Sequence, residues 1–299
     1  MSASADMQLQ GAPGVPGAPG TPPRSIERYI EKTHDNKIKI AARHKSDTVI
    51  KITILVLILL TIYAFFAFDY QGINLGQAIL SALHSFKVVF LQPKATTYSI
   101  GTLLDALLMS VCMSFLCTAL GAFVALFGSL VCAHNITKGP VNTVARSVVS
   151  IVRAIPNIIW VLLFVVSAGL GSVAAIIGLT FHSAAYLTKA YADAIEQADT
   201  GAIEALRSNG AGFIQILTQG IYPSVFTYLL SWTFFRLEVN FVNVIAVGAA
   251  AGGGGIGYNL FVSGNFYMDL HQTGLITFII LISVIIFEQV STTIKSRVK

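Results

Sequence analysis

The chain has 299 residues, of which 55% are apolar and only 11% charged. A soluble domain carries roughly a quarter of its residues as charges, so this composition cannot dress a globular surface, and lipid is the solvent it fits. The formal net charge of +5 does not point to nucleic acid. The Lys and Arg residues stand at the ends of apolar runs, where headgroup attraction and insertion bias account for them.

Residues 1–23 read MSASADMQLQGAPGVPGAPGTPP. Small residues, Pro and Gly without an apolar run predict a disordered tail. The segment lacks the basic start and hydrophobic centre of a secretory leader. Residues 24–48 carry mixed charge, with Arg28/Lys32 and Glu27/Glu31 at helical spacing, and predict a solvated interfacial helix.

Six apolar segments then follow, each near the roughly 20 residues that cross a hydrocarbon layer. The first, 49–68, is unbroken and stops at Asp69. A polar stretch, 69–99, contains a short semi-apolar piece at 79–91. The second span covers 102–131 and the third 148–166. Pro156 inside the third is tolerable because neighbouring helices can satisfy the carbonyl it frees. A tight Ala168-Gly169-Leu170-Gly171 turn leads to the fourth span, 173–191. A long polar loop precedes the fifth, 225–247, and a glycine-rich loop the sixth, 273–294. Cys112, Cys117 and Cys132 show no metal-ligand spacing and read as buried thiols acting as small hydrophobes.

The basic residues set an orientation. The N-terminal flank holds Arg24, Arg28, Lys32, Lys37, Lys39, Arg43 and Lys45, and the C-terminal tail Lys295, Arg297 and Lys299. The loop after the first span has only Lys87 and Lys94, Lys138 and Arg146 sit between spans two and three, Lys189 and Arg207 around the long loop, while 168–172 and 248–272 have none. This alternation predicts both termini in the cytoplasm.

The long loop reads IEQADTGAIEALRSNGAGFIQILTQGIYPSV. Gly201 can start a short helix with Glu204 in its first turn, and Gly210 can end it in a left-handed backbone turn. A second short helix, 213–219, has Phe213, Ile216 and Leu217 on one side, and Pro223 begins span five. Such a helix-turn-helix knob suits docking into a partner's groove.

The loop resembles the EAA loop of ABC importer permeases: Glu-Ala-Ala, three residues, Gly, nine residues, then Ile-x-Leu-Pro. Glu204, Ala205, Gly210 and Pro223 match, whereas Leu206, Gly220 and Tyr222 replace the second Ala, the Ile and the Leu. Further runs resemble the phosphonate-importer permeases. They are Arg153-x-Ile155-Pro156-x-x-x-Trp160, His182-Ser183-Ala184 and Phe235-Arg236-x-Glu238-x-Asn240. The resemblance covers about residues 95–294 and implies an all-α polytopic membrane protein of six transmembrane helices with the type I ABC importer (MetI-like) permease core.

It implies further that 1–48 is a tail plus cytoplasmic charged segment, 49–68 a peripheral first span and 69–99 an external loop. Residues 100–299 would form the permease core, with a cytoplasmic coupling loop at 192–223. Implied partners are a cytoplasmic ABC ATPase dimer, which would bind the ATP and Mg, a second permease copy, most simply identical, and an external phosphonate-binding protein. The implied location is the bacterial inner membrane and the implied cargo a phosphonate or related phosphorus oxyanion. An ABC permease for another solute such as an amino acid is the milder alternative. A stand-alone secondary transporter needs an ion-coupling cluster or inverted repeats, and neither is visible.

Other motifs fail on context. Gly252 to Gly257 satisfies G-x-G-x-x-G but follows a membrane helix rather than a strand; close backbone packing or a re-entrant turn fits better. No phosphate-binding GK[ST] loop exists, and no catalytic triad or metal-ligand spacing rises above chance, so the chain is read as no enzyme and as carrying no cofactor or metal.

Ionisable residues inside spans are costly and are paired or face water. Arg236, Glu238, Asn240 and Asn243 fall in span five, Glu288 in span six, and Asp105 and Arg153 near span ends. Either they tie spans together, Arg236 to Glu288 being the pairing considered, or Arg236, Glu238, Asn240, Asn243, His182 and Arg153 line a substrate path. His182 reads equally as a satisfied buried histidine and Arg153 as a headgroup anchor. Arginine's planar fork of donors suits phosphonate oxygens.

The orientation is checked with single cysteines in a Cys-free background. Gln71→Cys and Asn265→Cys are expected to label from outside with an impermeant thiol reagent and Ser208→Cys to stay unlabelled; outside labelling at 208 overturns the orientation.

Overall fold

A computed structural model of the chain describes residues 30–32, 38–40, 45–67, 74–198 and 200–298. The predicted tail, 1–23, lies outside the described residues. The chain divides into two compact units, Met1–Asn74 and Leu75–Lys299.

In the first unit, β1 (Ile30–Lys32) pairs antiparallel with β2 (Ile38–Ile40), with Glu31 opposite Lys39. The helix predicted over 24–48 is therefore corrected: the Ile-Lys-Ile alternation at 38–40 has the period of a strand. The first span follows as α1 (Lys45–Ala67).

The second unit is helical throughout. Its first element, α2 (Leu75–Leu91), is a full apolar helix where the sequence suggested only a short piece at 79–91. The second span is α3 (Ile100–Cys132), opened by Ser99, whose hydroxyl accepts from the Thr102 amide at 3.2 Å. Ser110, Ser114, Cys117, Gly121, Ala125, Ser129 and Cys132 form a buried small-residue stripe at three- and four-residue spacing along it. That stripe is how apolar helices approach closely when lipid offers no hydrophobic drive. The partner is α6 (Ser172–Glu196): a Cβ on Gly121 would stand 2.8 Å from Ser183 Cβ, and one on Gly128 2.8 Å from Thr188 Oγ1.

The third span is not one helix. It is α4 (Pro140–Ala154) and α5 (Asn157–Ala168), bent by 89° at Pro156. Proline removes the amide that would bond the Val152 carbonyl and clashes with the preceding turn, so the backbone ladder stops there. Instead the Trp160 indole N–H donates back to the Val152 carbonyl at 3.1 Å, across the break. Five helices are thus long and apolar enough to cross a membrane, six spans if the bent pair counts as one, among the described residues. A turn through Gly169 and Gly171 joins α5 to α6.

After α7 (Thr200–Ser208) the chain enters α8, a continuous rod from Phe213 to Ala251 with a wider, π-helical turn at Ile216–Ile221. The separate helix expected at 213–219 is the start of this rod, and Pro223 lies within its length rather than beginning it. The glycine-rich loop is a reversal at Gly252–Gly255 followed by a short helix, α9 (Gly255–Phe261), folded back against α8. Gly257 permits it: a Cβ there would stand 1.9 Å from the Ile245 carbonyl oxygen. The Ile256 amide donates to Ser110 Oγ at 3.0 Å, tying the return to α3.

The last span, α10 (Leu270–Val298), is clasped to the start of α3. Buried Gln272 accepts through Oε1 from the amides of Thr96, Thr97 and Tyr98 at 2.8, 3.1 and 3.3 Å. Of the cysteines, Cys117 and Cys132 are buried as expected, but Cys112 is exposed.

Because the obstruction at Gly257 is backbone, Gly257→Ala is expected to cost about 1–3 kcal/mol, read as a lowered melting temperature in detergent. Gly101→Ala, where the added carbon would meet only Ser99 Oγ at 3.7 Å, is expected to leave melting unchanged.

Candidate functional site

Two places concentrate chemistry: a polar cluster within the bundle and the loop knob between α6 and α8.

The three sequence runs that resemble phosphonate permeases are far apart in the chain, yet they meet in the cluster. Arg236 is 3% exposed. Its Nε donates to Ser183 Oγ at 3.1 Å, and its terminal nitrogen pairs with His182 Nδ1 at 2.9 Å. Asn240, fully buried, donates from Nδ2 to Thr118 Oγ1 at 2.8 Å and to Ser183 Oγ at 2.9 Å. The Thr118 hydroxyl donates in turn to the Ser114 carbonyl at 2.6 Å. One network thus joins α3, α6 and α8. Arg236 also stands 5.0 Å from the centre of the Tyr186 ring, and Arg153, from the end of α4, 5.4 Å from the same ring. Both distances are within cation–π range.

The charges distribute otherwise than the sequence suggested. Arg236 does not pair with Glu288, which is exposed. Its hydrogen-bond partners are Ser183 and His182, and neither Arg236 nor Arg153 has a carboxylate partner among the described residues. Glu238 stays outside the cluster: it accepts from Lys295 at 3.1 Å and ties α8 to α10. Asn243 is half-buried with its Nδ2 unpartnered, and Asp105 is exposed. Arg153, read as near a span end, lies instead at the internal break of the bent pair, exposed.

Sequence reasoning missed Ser183, Thr118 and Tyr186. Thr118 carries no signal in a run of small residues; Tyr186 is one turn beyond His182, the spacing that puts both on one helix face.

Toward the loop end of α6 lies a second polar group. Arg146 donates to Glu196 Oε1 at 2.7 Å and, through Nε, to the Cys132 carbonyl at 2.8 Å, and it lies 4.0 Å from Asp193. Lys189 pairs with Asp193. A hollow of about 320 Å³ opens beside them, lined by Arg153, Tyr186, Lys189, Asp193, Tyr228 and Trp232 among others.

The knob has the geometry its motif demands. Gly210 has φ +75°, the left-handed region the sequence assigned to it. The Gly210 amide donates to the Arg207 carbonyl and the Ala211 amide to the Leu206 carbonyl, both at 3.0 Å, the paired bonds that end a helix on a left-handed residue. Ile203 and Leu206 pack inward with Ile216 and Ile221, against Leu187, Tyr191 and Ile195 of α6. Glu204, Ala205, Pro223 and, beside them, Phe213 and Ile214 remain exposed.

Two of the three departures from the EAA pattern are connected, and the third makes a bond of its own. A Cβ on Gly220 would stand 2.9 Å from Leu206 Cδ1, so the larger residue at 206 occupies the room left by the smaller one at 220. Tyr222 donates its hydroxyl to the Leu126 carbonyl of α3 at 3.0 Å, a bond leucine could not make. Gly220→Ala is expected to be tolerated, because the end of a leucine side chain can move. Gly220→Ile is expected to loosen α7 by about 1–3 kcal/mol, and Leu206→Ala in the same chain to restore it. Hydrogen exchange of the α7 amides reads the difference; no rescue by the double change refutes the pairing.

Comparison with known proteins places this geometry. Residues 125–294 match the family model described as "Binding-protein-dependent transport system inner membrane component". The chain is 36% identical over 149 residues to a phosphate-import permease protein of Mycolicibacterium smegmatis, covering 50% of this chain and 28% of that one; it therefore spans well under half of that relative's length. It is 30% identical over 201 residues to a phosphite transport system permease protein of Stutzerimonas stutzeri, covering 67% of this chain and 71% of that one. A solved inward-facing structure of the MetNI methionine ABC transporter shares the fold, with a TM-score of 0.61 at 23% identity, over 69% of this chain and 100% of that one. The chain belongs to the family of inner membrane components of binding-protein-dependent transport systems, which are transport components rather than enzymes.

Proposed function

We propose that this chain is the permease subunit of an ATP-driven importer for phosphonates or related phosphorus oxyanions. The observation that carries the cargo assignment is the meeting of Arg153 and Arg236 beside Tyr186 with no carboxylate among the described residues to neutralise either. A buried guanidinium without a counter-ion is expensive, and a passing anion supplies the missing charge. A zwitterionic amino acid would also require a carboxylate for its ammonium group. The relatives named for phosphate and phosphite import support the same choice.

In this reading Arg153 and Arg236 act on the anion by charge, while His182, Ser183 and Asn240 hold Arg236 in place. Asn243, with its unpartnered amide, stands further along the same helix, and Glu238 serves assembly through Lys295. Two copies of the chain form the pore. The knob faces the cytoplasm, as the Lys and Arg distribution supports, where α7, Phe213 and Ile214 dock a separate ATPase that binds ATP and Mg. An external binding protein delivers the anion.

The knob's role is tested at Gly210. A side chain in the left-handed conformation costs roughly 1–2 kcal/mol, and more for a β-branched residue, so Gly210→Val redirects the chain after α7 without touching the spans. The mutant is expected to insert at normal levels and melt normally in detergent, yet lose ATPase co-purification or substrate-stimulated hydrolysis, with uptake falling in parallel. Normal transport with the ATPase bound overturns the coupling role.

A further inference from the structure

The hollow at the loop end of α6 has chemically uneven walls. At about 320 Å³ it has room for roughly ten waters, each taking about 30 Å³ in the liquid. A small tetrahedral oxyanion with part of its hydration shell fits such a space. On one side stand Arg153 and the Tyr186 ring, with the Arg236 guanidinium against that ring. Lys189 lies one turn beyond Tyr186 on the same face of α6. Trp232 closes another side, its ring 6.3 Å from that of Tyr186.

The acid in the wall, Asp193, is committed: Lys189 pairs with it and Arg146 stands 4.0 Å away. Arg153 is the opposite case. It is exposed, lines the hollow, and has no ion-pair partner among the described residues. Two positive groups therefore flank the hollow: the exposed Arg153 in its wall, and the buried Arg236, held by Ser183 and His182, against the Tyr186 ring.

We infer that this hollow is an anion seat, in which Arg153 contacts a tetrahedral phosphorus oxyanion directly while Arg236, held behind Tyr186, contributes charge without contact. This deepens the proposed function and rests on it, since it assigns a resting place to the same cargo at the loop end of the path. The division of labour has a kinetic consequence. A buried bidentate pair would hold the anion too firmly for turnover, whereas one exposed guanidinium in an open hollow binds weakly and lets go. A phospholipid headgroup presents the same phosphate chemistry to the same groups, so the source of the anion has to be distinguished by experiment.

Trp232 supplies the probe, as the chain has 2 tryptophans and only this one lines the hollow. The full-length protein keeps Trp160, whose indole bonds across the break beside Arg153; it is purified in a maltoside detergent free of phosphate and titrated with methylphosphonate at constant ionic strength, beside a Trp232→Phe control that isolates the Trp232 signal. A saturable change in Trp232 emission is expected. Arg153→Gln is expected to weaken it at least tenfold, and Arg153→Lys to retain most of it. Chloride is expected to give no saturable response.

An Arg153→Gln protein that binds as tightly as its parent, or a signal that follows ionic strength alone, overturns the seat. A change in Trp232 emission with phosphatidylglycerol nanodiscs and none with free methylphosphonate assigns the hollow to lipid and overturns the seat as well. Uptake by the assembled importer separates this inference from the function beneath it. Methylphosphonate transport unaffected by Arg153→Gln removes the seat and leaves the permease reading standing. Saturable binding without uptake of any phosphorus oxyanion removes the permease reading instead.

Discussion

Hydrocarbon offers a polar group nothing to bond, so donors buried in this bundle are costly unless the protein itself supplies their acceptors. Arg236 is the most demanding of them: a charge at membrane centre costs about 2.5–3.5 kcal/mol on insertion scales. Its accommodation begins with residues that have no chemistry at all. The small stripe on α3 lets α6 approach until Gly121 abuts Ser183. At that separation Thr118, Ser183 and Asn240 come within hydrogen-bond distance of one another, and Ser183 and His182 reach the guanidinium. Larger residues along that stripe would leave the same polar side chains stranded. Close packing is therefore the condition for the cluster, and the cluster is the condition for keeping an arginine in the bundle.

Helix α6 links this cluster to the knob. Its middle carries His182, Ser183 and Tyr186, and its next turns carry Lys189, Asp193 and Glu196. Its other side presents Leu187, Tyr191 and Ile195 to Ile203, Ile216 and Ile221. Tyr191 bonds to Thr233 of α8, so α6 and α8 are joined both at the arginine and near the knob. A force applied to α7 meets this packed pair before anything else. The broken span adds a further element: Arg153 sits at the bend between α4 and α5, so its position beside Tyr186 depends on the angle that Pro156 sets.

Much of this was legible in the sequence, for identifiable reasons. Gly210 was readable because its place after a short helix leaves few conformations that end one, and the left-handed φ follows. The long apolar helices were readable because lipid demands a length. Pro156 was half legible: the Val152 carbonyl it frees is satisfied from the neighbouring helix, through Trp160, but the 89° bend depends on three-dimensional packing. Pro223 misled in the other direction. It resembled a helix start, but the wider turn at Ile216–Ile221 carries the helix through from Phe213. Which ionisable groups meet was the least legible. Arg236 and Glu238 are two residues apart and so point in different directions, one toward Ser183, the other toward Lys295; periodicity gives the divergence but not the partners.

The idea that unites the cluster, the hollow and the knob is that this chain passes phosphorus oxyanions under the drive of a docked ATPase. It is tested most directly by uptake into proteoliposomes holding the permease with the ATPase and binding protein that co-purify with it. ATP-dependent accumulation of methylphosphonate or phosphite is expected, without accumulation of methionine and abolished when ATP is omitted. Methionine uptake with no phosphorus oxyanion carried, or oxyanion uptake that proceeds without ATP, would contradict it.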